Sequence, residues 1–127
     1  MASGDVRDSD HRAIQQSVNL ARDICGLQFA VRIGALPSGR DTAVAALASL
    51  PDSARAVLVA VDVASRSVEV VTGRTAAIAV SDRACELAVL AMVSSFVNDD
   101  IVGGIRGGVT LLAEHARMPL ALHVDQP

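Results

Sequence analysis

The sequence predicts an α/β fold, a three-layer α/β/α sandwich in which about four helices cover a mixed sheet of about four strands. The first reason is composition: 51% of the 127 residues are hydrophobic but only 2% are aromatic, so Ala, Val, Leu and Ile must build the core. The second is the unbroken apolar run Ala56 to Val61, typical of a strand buried on both faces. The third is helical periodicity on either side of that run. The length fits one domain, predicted at residues 9–124 between a flexible tail at 1–8 and a short tail at 125–127.

The first part of the chain is predicted to form a helix, a strand, a helix and a strand. Apolar residues recur at helical spacing at Ile14, Val18, Ala21 and Ile24. Gly26 can end this helix in a left-handed conformation, and Leu27 to Ile33 then alternates as a half-covered strand does. Asp41 is predicted to cap a short helix that turns Val44, Leu47 and Leu50 inward. The strand at Ala56 to Val61 would then lie parallel to the first strand through a right-handed crossover.

The second part is predicted to begin with a hairpin and continue with helices. Asp62 to Arg66 supplies a polar turn, and Ser67 to Thr72 alternates as an antiparallel partner of the preceding strand. A third helix begins at Ser81 or Asp82 and ends near Asn98. Its inward stripe is predicted to contain Leu87, Leu90 and either Val93 or Ser94. A fourth helix follows from Asp99 or Asp100 to Ala116, and Met118 to Val124 is predicted to add an edge strand.

Composition excludes several kinds of chemistry. All 11 basic residues are Arg, and the chain has neither Lys nor Tyr, so it cannot use a P-loop ammonium, a Schiff base or a phenolic acid. The net charge of -3 disfavours binding to nucleic acid. Cys25 and Cys85 lie far apart without metal-ligand spacing, so buried free thiols are expected. The polar N-terminus and the short apolar runs predict a cytoplasmic protein without a membrane partner.

Three stretches of the sequence carry a family resemblance. They are AVLVAVDVASRSVEVVTG, SDRACELAVLAMV and SSFVNDDIVGGIRGGVTLL, within a region from about Asp10 to Ala116. In order and spacing they resemble the TPM domain, a family named for thylakoid proteins and bacterial relatives, and in particular a small actinobacterial branch of it. The resemblance implies an α/β/α sandwich. It also implies roles that range from acid phosphatase activity and divalent metal binding to assistance in the repair of membrane complexes.

Four carboxylates and one arginine are the candidate site residues. Asp62, Asp82, Asp99 and Asp100 lie at predicted loop and helix ends and would suit Ca²⁺ or Mg²⁺ if their oxygens converged. Ordinary helix capping is the competing explanation. Arg74 directly follows the hairpin and could bind an anion, because guanidinium presents paired donors, or it could pair with Asp82.

The glycines between Gly103 and Gly108 allow three interpretations. Gly104 to Gly107 has the GxxG spacing of an RNA clamp of the KH type, and the same glycines could form a phosphate cradle. Glycines four apart on a helix also allow a second backbone to approach closely, which is the interpretation we favour. No nucleophilic side chain and base are spaced in the sequence as in a known catalytic motif, so no catalytic residue is assigned.

These observations favour a binding or scaffold module over an enzyme. The module would bind a protein partner, or an anionic or metal ligand, where the strands of the hairpin end. A metal-assisted phosphatase of the acid phosphatase kind is the alternative, with the four Asp residues holding the cation and Arg74 orienting the phosphate. An RNA-binding domain of the KH type is the second alternative. The partner and the oligomeric state do not follow from the sequence.

Overall fold

The computed structural model describes the backbone of residues 7–124 and the side chains of residues 7–116. The predicted tail at 125–127 and most of the tail at 1–8 lie outside the described residues, and Asp8 already opens the first helix. The helices are α1 (Asp8–Cys25), α2 (Arg40–Ala48), α3 (Ala76–Ala79), α4 (Asp82–Val97) and α5 (Ile101–Val124), and the strands are β1 (Gln28–Ile33), β2 (Ala56–Asp62) and β3 (Ser67–Thr72). A single 3-10 turn, Ser53–Arg55, precedes β2. None of the described helices has the length and apolarity needed to cross a membrane.

The described strands form one mixed sheet in the order β1-β2-β3. β1 runs parallel to β2, with Phe29 opposite Val57, and β2 runs antiparallel to β3, with Val59 opposite Val70. Both pairings confirm the sequence prediction. The central strand is buried throughout its apolar run, because every residue from Ala56 to Val61 is at most 2% exposed.

Helices pack against both faces of the sheet. The larger hydrophobic cluster joins alternate β2 residues such as Val57 and Val59 to α1, α4 and α5, whereas the smaller cluster joins Leu58 and Ala60 to α2. This division follows from the strand's two-residue period, which turns neighbouring side chains to opposite faces. The α/β class is therefore confirmed, with five helices and a three-stranded mixed sheet among residues 7–124.

The C-terminal strand that was predicted over Met118 to Val124 is wrong. These residues continue α5, which runs from Ile101 to Val124. The short apolar run fits a helix as well as a strand, and the helix that has begun at Ile101 simply extends through it.

The inward face that was predicted for α4 is also wrong. Leu87 is 38% exposed and Leu90 is 67% exposed, whereas the buried residues of α4 are Ala84, Ala88, Met92 and Phe96. Opposite them lie two glycines of α5: an added Cβ on Gly104 would come within 2.9 Å of Phe96, and one on Gly108 within 2.6 Å of Met92. The predicted close helix packing is thus confirmed for these two glycines.

The beginning of α2 differs from the prediction as well. The helix begins at Arg40 after Gly39, so Asp41 lies in its first turn and is not its cap. Val44 points outward and is 47% exposed, and Ala43 takes the buried position beside Leu47. The pattern of small and large apolar residues in this short helix did not distinguish the two faces.

Candidate functional site

The turn end of the hairpin holds two of the predicted carboxylates. Asp62 ends β2, and its carboxylate accepts long hydrogen bonds from the backbone N–H groups of Leu36 and Ser65, both at 3.4 Å. Asp99 follows α4 and forms an ion pair with Arg66 of the turn, with 2.7 Å between Oδ1 and Nη2. Both carboxylates therefore organise loops at this end of the molecule.

The opposite end of the hairpin holds Asp82 and Arg74. Asp82 is exposed in the first turn of α4, where a negative charge favours the helix. Arg74 is exposed after Gly73 and lines a shallow depression beside α2. The ion pairs found among residues 7–116 do not include one between these two side chains. Asp62 and Arg74 thus lie at opposite ends of the strands that join them.

The fourth predicted carboxylate acts as a helix cap. Asp100 Oδ1 accepts a hydrogen bond of 3.0 Å from the backbone N–H of Gly103 in the first turn of α5. In the part of the chain whose side chains are described, no group of three or more His, Cys, Asp or Glu residues is arranged to hold a metal ion. The geometry supplies Asp99 and Asp100 with protein partners and gives the metal-binding prediction no support.

The GxxG segment lies within a helix. Gly104, Ile105, Arg106 and Gly107 all belong to α5, and Ile105 is fully buried. Arg106 uses Nε to donate a hydrogen bond of 2.8 Å to Ser17 Oγ of α1. A clamp of the KH type presents these positions on a loop that grips the nucleic acid backbone. The RNA-binding prediction therefore gains nothing from this segment.

The outer edge of β3 has no neighbouring strand among the described residues. Gly73 N–H donates to Ala56 O at 2.8 Å, which fixes the alternation of hydrogen bonds along the antiparallel pair. Glu69 and Val71 therefore direct their backbone groups to β2, whereas Val68, Val70 and Thr72 direct theirs outward. No strand among residues 7–124 pairs with this outer edge.

A groove of about 570 Å³ follows this edge, between β3 and α4. We call it the β3–α4 groove. One wall is the outer side of β3, with Arg40 of α2 at its margin. The other wall is α4, which contributes Asp82, Cys85, Glu86, Val89 and Leu90.

Arg40 lies at the margin of the groove and makes two long contacts with β3. Its guanidinium nitrogen Nη1 lies 3.4 Å from Glu69 Oε1 and also 3.4 Å from the outward carbonyl oxygen of Val70. Both distances are long for charge-assisted hydrogen bonds, and the Arg40 side chain is 63% exposed. Arg40 is therefore only weakly bound to the edge of β3.

The pKa of the Cys85 thiol reflects the charged groups that surround the groove. Half-burial raises the pKa of its thiol, the carboxylates of Asp82 and Glu86 raise it further, and Arg40 opposes them. The thiol is thus held in its protonated form at neutral pH, unlike the low-pKa thiolates of catalytic cysteines. Cys25 and Cys85 are both free and partly exposed, less buried than the sequence predicts.

The other edge of the sheet is more firmly covered. Arg22 of α1 donates a hydrogen bond of 3.1 Å to the carbonyl oxygen of Phe29 on the outer side of β1. The groove beside β1 has about 300 Å³, roughly half the volume of the groove at β3. The β3 edge is therefore the more accessible of the two.

The β3–α4 groove is not among the sites predicted from the sequence, although one pattern in the sequence is consistent with it. Ala84, Ala88, Met92 and Phe96 recur every four residues, and this alternative stripe leaves Leu90 on the outside. Choosing between the two stripes requires the register of α5 against α4, which single-helix periodicity does not contain.

Solved structures of other proteins share this fold. The NMR structure of the BA42 protein from the psychrophilic bacterium Bizionia argentinensis aligns with a TM-score of 0.78 at 15% identity, over 89% of this chain and 82% of the other. The solution NMR structure of the N-terminal domain of the cg2496 protein from Corynebacterium glutamicum aligns with a TM-score of 0.68 at 14% identity, over 90% of this chain and 76% of the other. At these identities the likeness establishes the fold alone. No curated protein matches the sequence.

The family comparison corrects the resemblance drawn from the sequence. The family model that matches is a domain of unknown function, DUF5130, over residues 5–113, and no match to the TPM domain accompanies it. The order and spacing of three sequence stretches carried the TPM resemblance, and their residue identities matched less well. The match covers most of the chain, and the chain therefore belongs to the DUF5130 family.

Proposed function

We propose that this chain is a protein-binding module in which the β3–α4 groove holds an extended segment of a partner. The observation that carries the proposal is the open edge of β3 beside a groove of about 570 Å³. An unpaired strand edge is a ready template for another strand, and peptide-binding domains use such edges repeatedly. The proposal includes the three-layer arrangement, with α2 as the thin outer layer, and a cytoplasmic location, which stays a prediction from the sequence.

The walls of the groove support recognition of a peptide. Leu90 is 67% exposed and Val89 lies beside it partly buried, so the α4 wall offers an apolar contact next to the strand. The backbone edge would supply affinity and the α4 wall would supply selectivity, as in other cases of strand addition. The Cys85 thiol is protonated at neutral pH and adds a small apolar surface to this wall.

The test uses two substitutions on one helix. A library of random linear peptides is selected on the immobilised protein, and the recovered peptides are measured by fluorescence anisotropy against the wild type, Leu90→Arg and Val97→Arg. Leu90 and Val97 are both strongly exposed, at 67% and 76%, but only Leu90 lines the groove. Both variants should fold as the wild type does, because exposed substitutions usually change stability by less than about 0.5 kcal/mol.

We expect Leu90→Arg to weaken binding by about tenfold or more, because it removes an apolar contact and obstructs the groove. Val97→Arg should leave the affinity within about twofold. Failure to recover any peptide would contradict the proposal, as would equal affinity for the two variants.

A further inference from the structure

We infer that the segment bound in the β3–α4 groove pairs antiparallel with β3 and carries a basic residue two positions before an apolar one. This inference rests on the proposed function and specifies the ligand. It combines the exposed backbone of β3, the direction of α4, the charge of the groove wall and the spacing of two side chains.

The backbone of β3 can accept a further strand with one local change. Val68, Val70 and Thr72 direct their N–H and C=O groups outward, and of these backbone groups Arg40 contacts the Val70 carbonyl oxygen, at 3.4 Å. An incoming N–H group can replace that contact, and Arg40 keeps Glu69 as its partner. Antiparallel pairing is favoured because its hydrogen bonds lie perpendicular to the strands and are slightly more stable per residue.

The direction of α4 fixes which residue of the wall faces which end of β3. The ion pair between Arg66 and Asp99 holds the C-terminal end of α4 at the turn that precedes Val68. α4 therefore runs antiparallel to β3, so Asp82 and Glu86 lie toward Thr72, and Leu90 lies toward Val68.

The charge of the groove selects a basic ligand. Among the side chains that the structure describes, the lining holds three carboxylates, at Glu69, Asp82 and Glu86, against the one guanidinium of Arg40. Arg40 already faces Glu69, which leaves Asp82 and Glu86 as the carboxylates that can meet a ligand. Complementary charge across an interface sets specificity and speeds association.

The spacing of the wall sets the sequence pattern of the ligand. Glu86 and Leu90 are four residues apart on α4, a rise of about 6 Å. Two residues of an extended strand span about 6.7 Å and place both side chains on the same face. A peptide antiparallel to β3 runs from the Thr72 end to the Val68 end, so it meets Glu86 first and Leu90 second. The pattern is therefore basic, any residue, apolar.

The test compares synthetic peptides of about nine residues, long enough to span β3. Each consists of Ser and Thr with two inserted residues: Arg two positions before Val, the reversed order, or Asp two positions before Val. A fourth peptide repeats the first with N-methylated backbone amides facing β3. Amide hydrogen exchange of the labelled protein is followed by NMR at Val68, Val70 and Thr72, with Glu69 and Val71 as internal references because their N–H groups already bond to β2.

We expect the first peptide to slow exchange at the three outward amides and leave the two reference amides unchanged, and N-methylation to abolish the effect. Glu86→Lys should weaken this peptide about tenfold, because it replaces attraction by repulsion. Glu114→Lys is the matched control: it makes the same change of charge at an exposed position of α5 outside the groove, and the affinity should stay within about twofold.

The outcomes separate the inference from the function on which it rests. If the reversed or the Asp peptide protects the β3 amides as well as the first peptide does, the predicted pattern is wrong and the binding function stands. If neither these peptides nor any peptide selected from the random library changes exchange at Val68, Val70 or Thr72, strand addition at this edge is wrong and the proposed function fails with it.

Discussion

Gly73→Ala tests how the end of β3 is held against the turn before β2. A Cβ added at Gly73 would lie 2.6 Å from the backbone oxygen of Ala54 and closer still to that of Ser53. Both neighbours are backbone atoms, so no side-chain rotation can relieve the overlap. Two hydrogen bonds of 2.8 Å fix the same contact, from Gly73 N–H to Ala56 O and from Thr75 N–H to Ala54 O.

The expected cost is about 3 kcal/mol of unfolding free energy. Overpacking a tightly built site costs about 1 to 3 kcal/mol, and displacing the strand end would weaken two hydrogen bonds of about 1 kcal/mol each. For a chain of this length that loss lowers the thermal midpoint by about 12 °C. Urea unfolding followed by circular dichroism gives the free energy, and a calorimetric scan gives the midpoint.

Gly107→Ala is the matched control. Gly107 is exposed in the interior of α5, and a Cβ built there meets no heavy atom within 4 Å. Because Ala favours a helix over Gly, this change should stabilise the protein by about 1 kcal/mol. A Gly73→Ala protein as stable as the wild type would refute the close contact between β3 and the 3-10 turn.

Three further predictions concern the ends of α4 and the carboxylates. Ser81→Ala should lower the unfolding free energy by about 1 kcal/mol in urea titration, because Ser81 Oγ accepts a cap hydrogen bond of 3.1 Å from Ala84 N–H; an unchanged value would contradict the cap. Alkylation of Cys85 should be slower than that of a free thiol at pH 8, because a raised pKa lowers the thiolate fraction, and Asp82→Asn should speed it by moving the pKa down. Millimolar Ca²⁺ or Mg²⁺ should leave the thermal midpoint within about 1 °C, because Asp99 and Asp100 are engaged with Arg66 and with Gly103; a clear rise would restore the metal hypothesis.

Local chemistry was enough to predict much of the fold. Gly26 adopts the left-handed conformation expected at a helix end, with φ of 77°, and Ser81 caps α4 through its own side chain. The run Ala56 to Val61 was recognisable as a central strand because a strand buried on both faces has no polar side. Each of these features depends on residues near one another in sequence.

The buried face of α4 could not be predicted because its partner decides it. Gly104 and Gly108 remove side chains from α5 where Phe96 and Met92 pack, so this face of α4 lies close to the α5 backbone. Ala84 and Ala88 continue that face, and the larger Leu87 and Leu90 turn outward. A hydrophobicity pattern ranks Leu above Ala and selects the wrong face, because it contains no information on the space that a neighbouring helix leaves.

The candidate site could not be predicted from the sequence for a related reason. The residues predicted for the site are charged side chains at loop and helix ends, and two of them, Asp62 and Arg74, lie at opposite ends of the hairpin. The β3–α4 groove depends instead on which side of β3 lacks a neighbouring strand. That property depends on the order of strands in the sheet, and the sequence predicts a fourth strand at Met118 to Val124 where the structure has a helix.

The two edges of the sheet differ in how their backbone is protected. Natural sheets commonly shield their edges with charged side chains, and here one arginine contacts an outward carbonyl on each edge. Arg22 bonds to Phe29 at 3.1 Å, whereas Arg40 lies 3.4 Å from Val70 and contacts Glu69 at the same distance. If an incoming strand displaces Arg40 from the Val70 carbonyl oxygen, Arg40 keeps its ion pair with Glu69. The free-energy cost of this displacement is therefore lower than that of displacing Arg22 from Phe29. The same arrangement that discourages nonspecific pairing at β3 therefore permits pairing with a ligand that brings its own cation to Asp82 and Glu86.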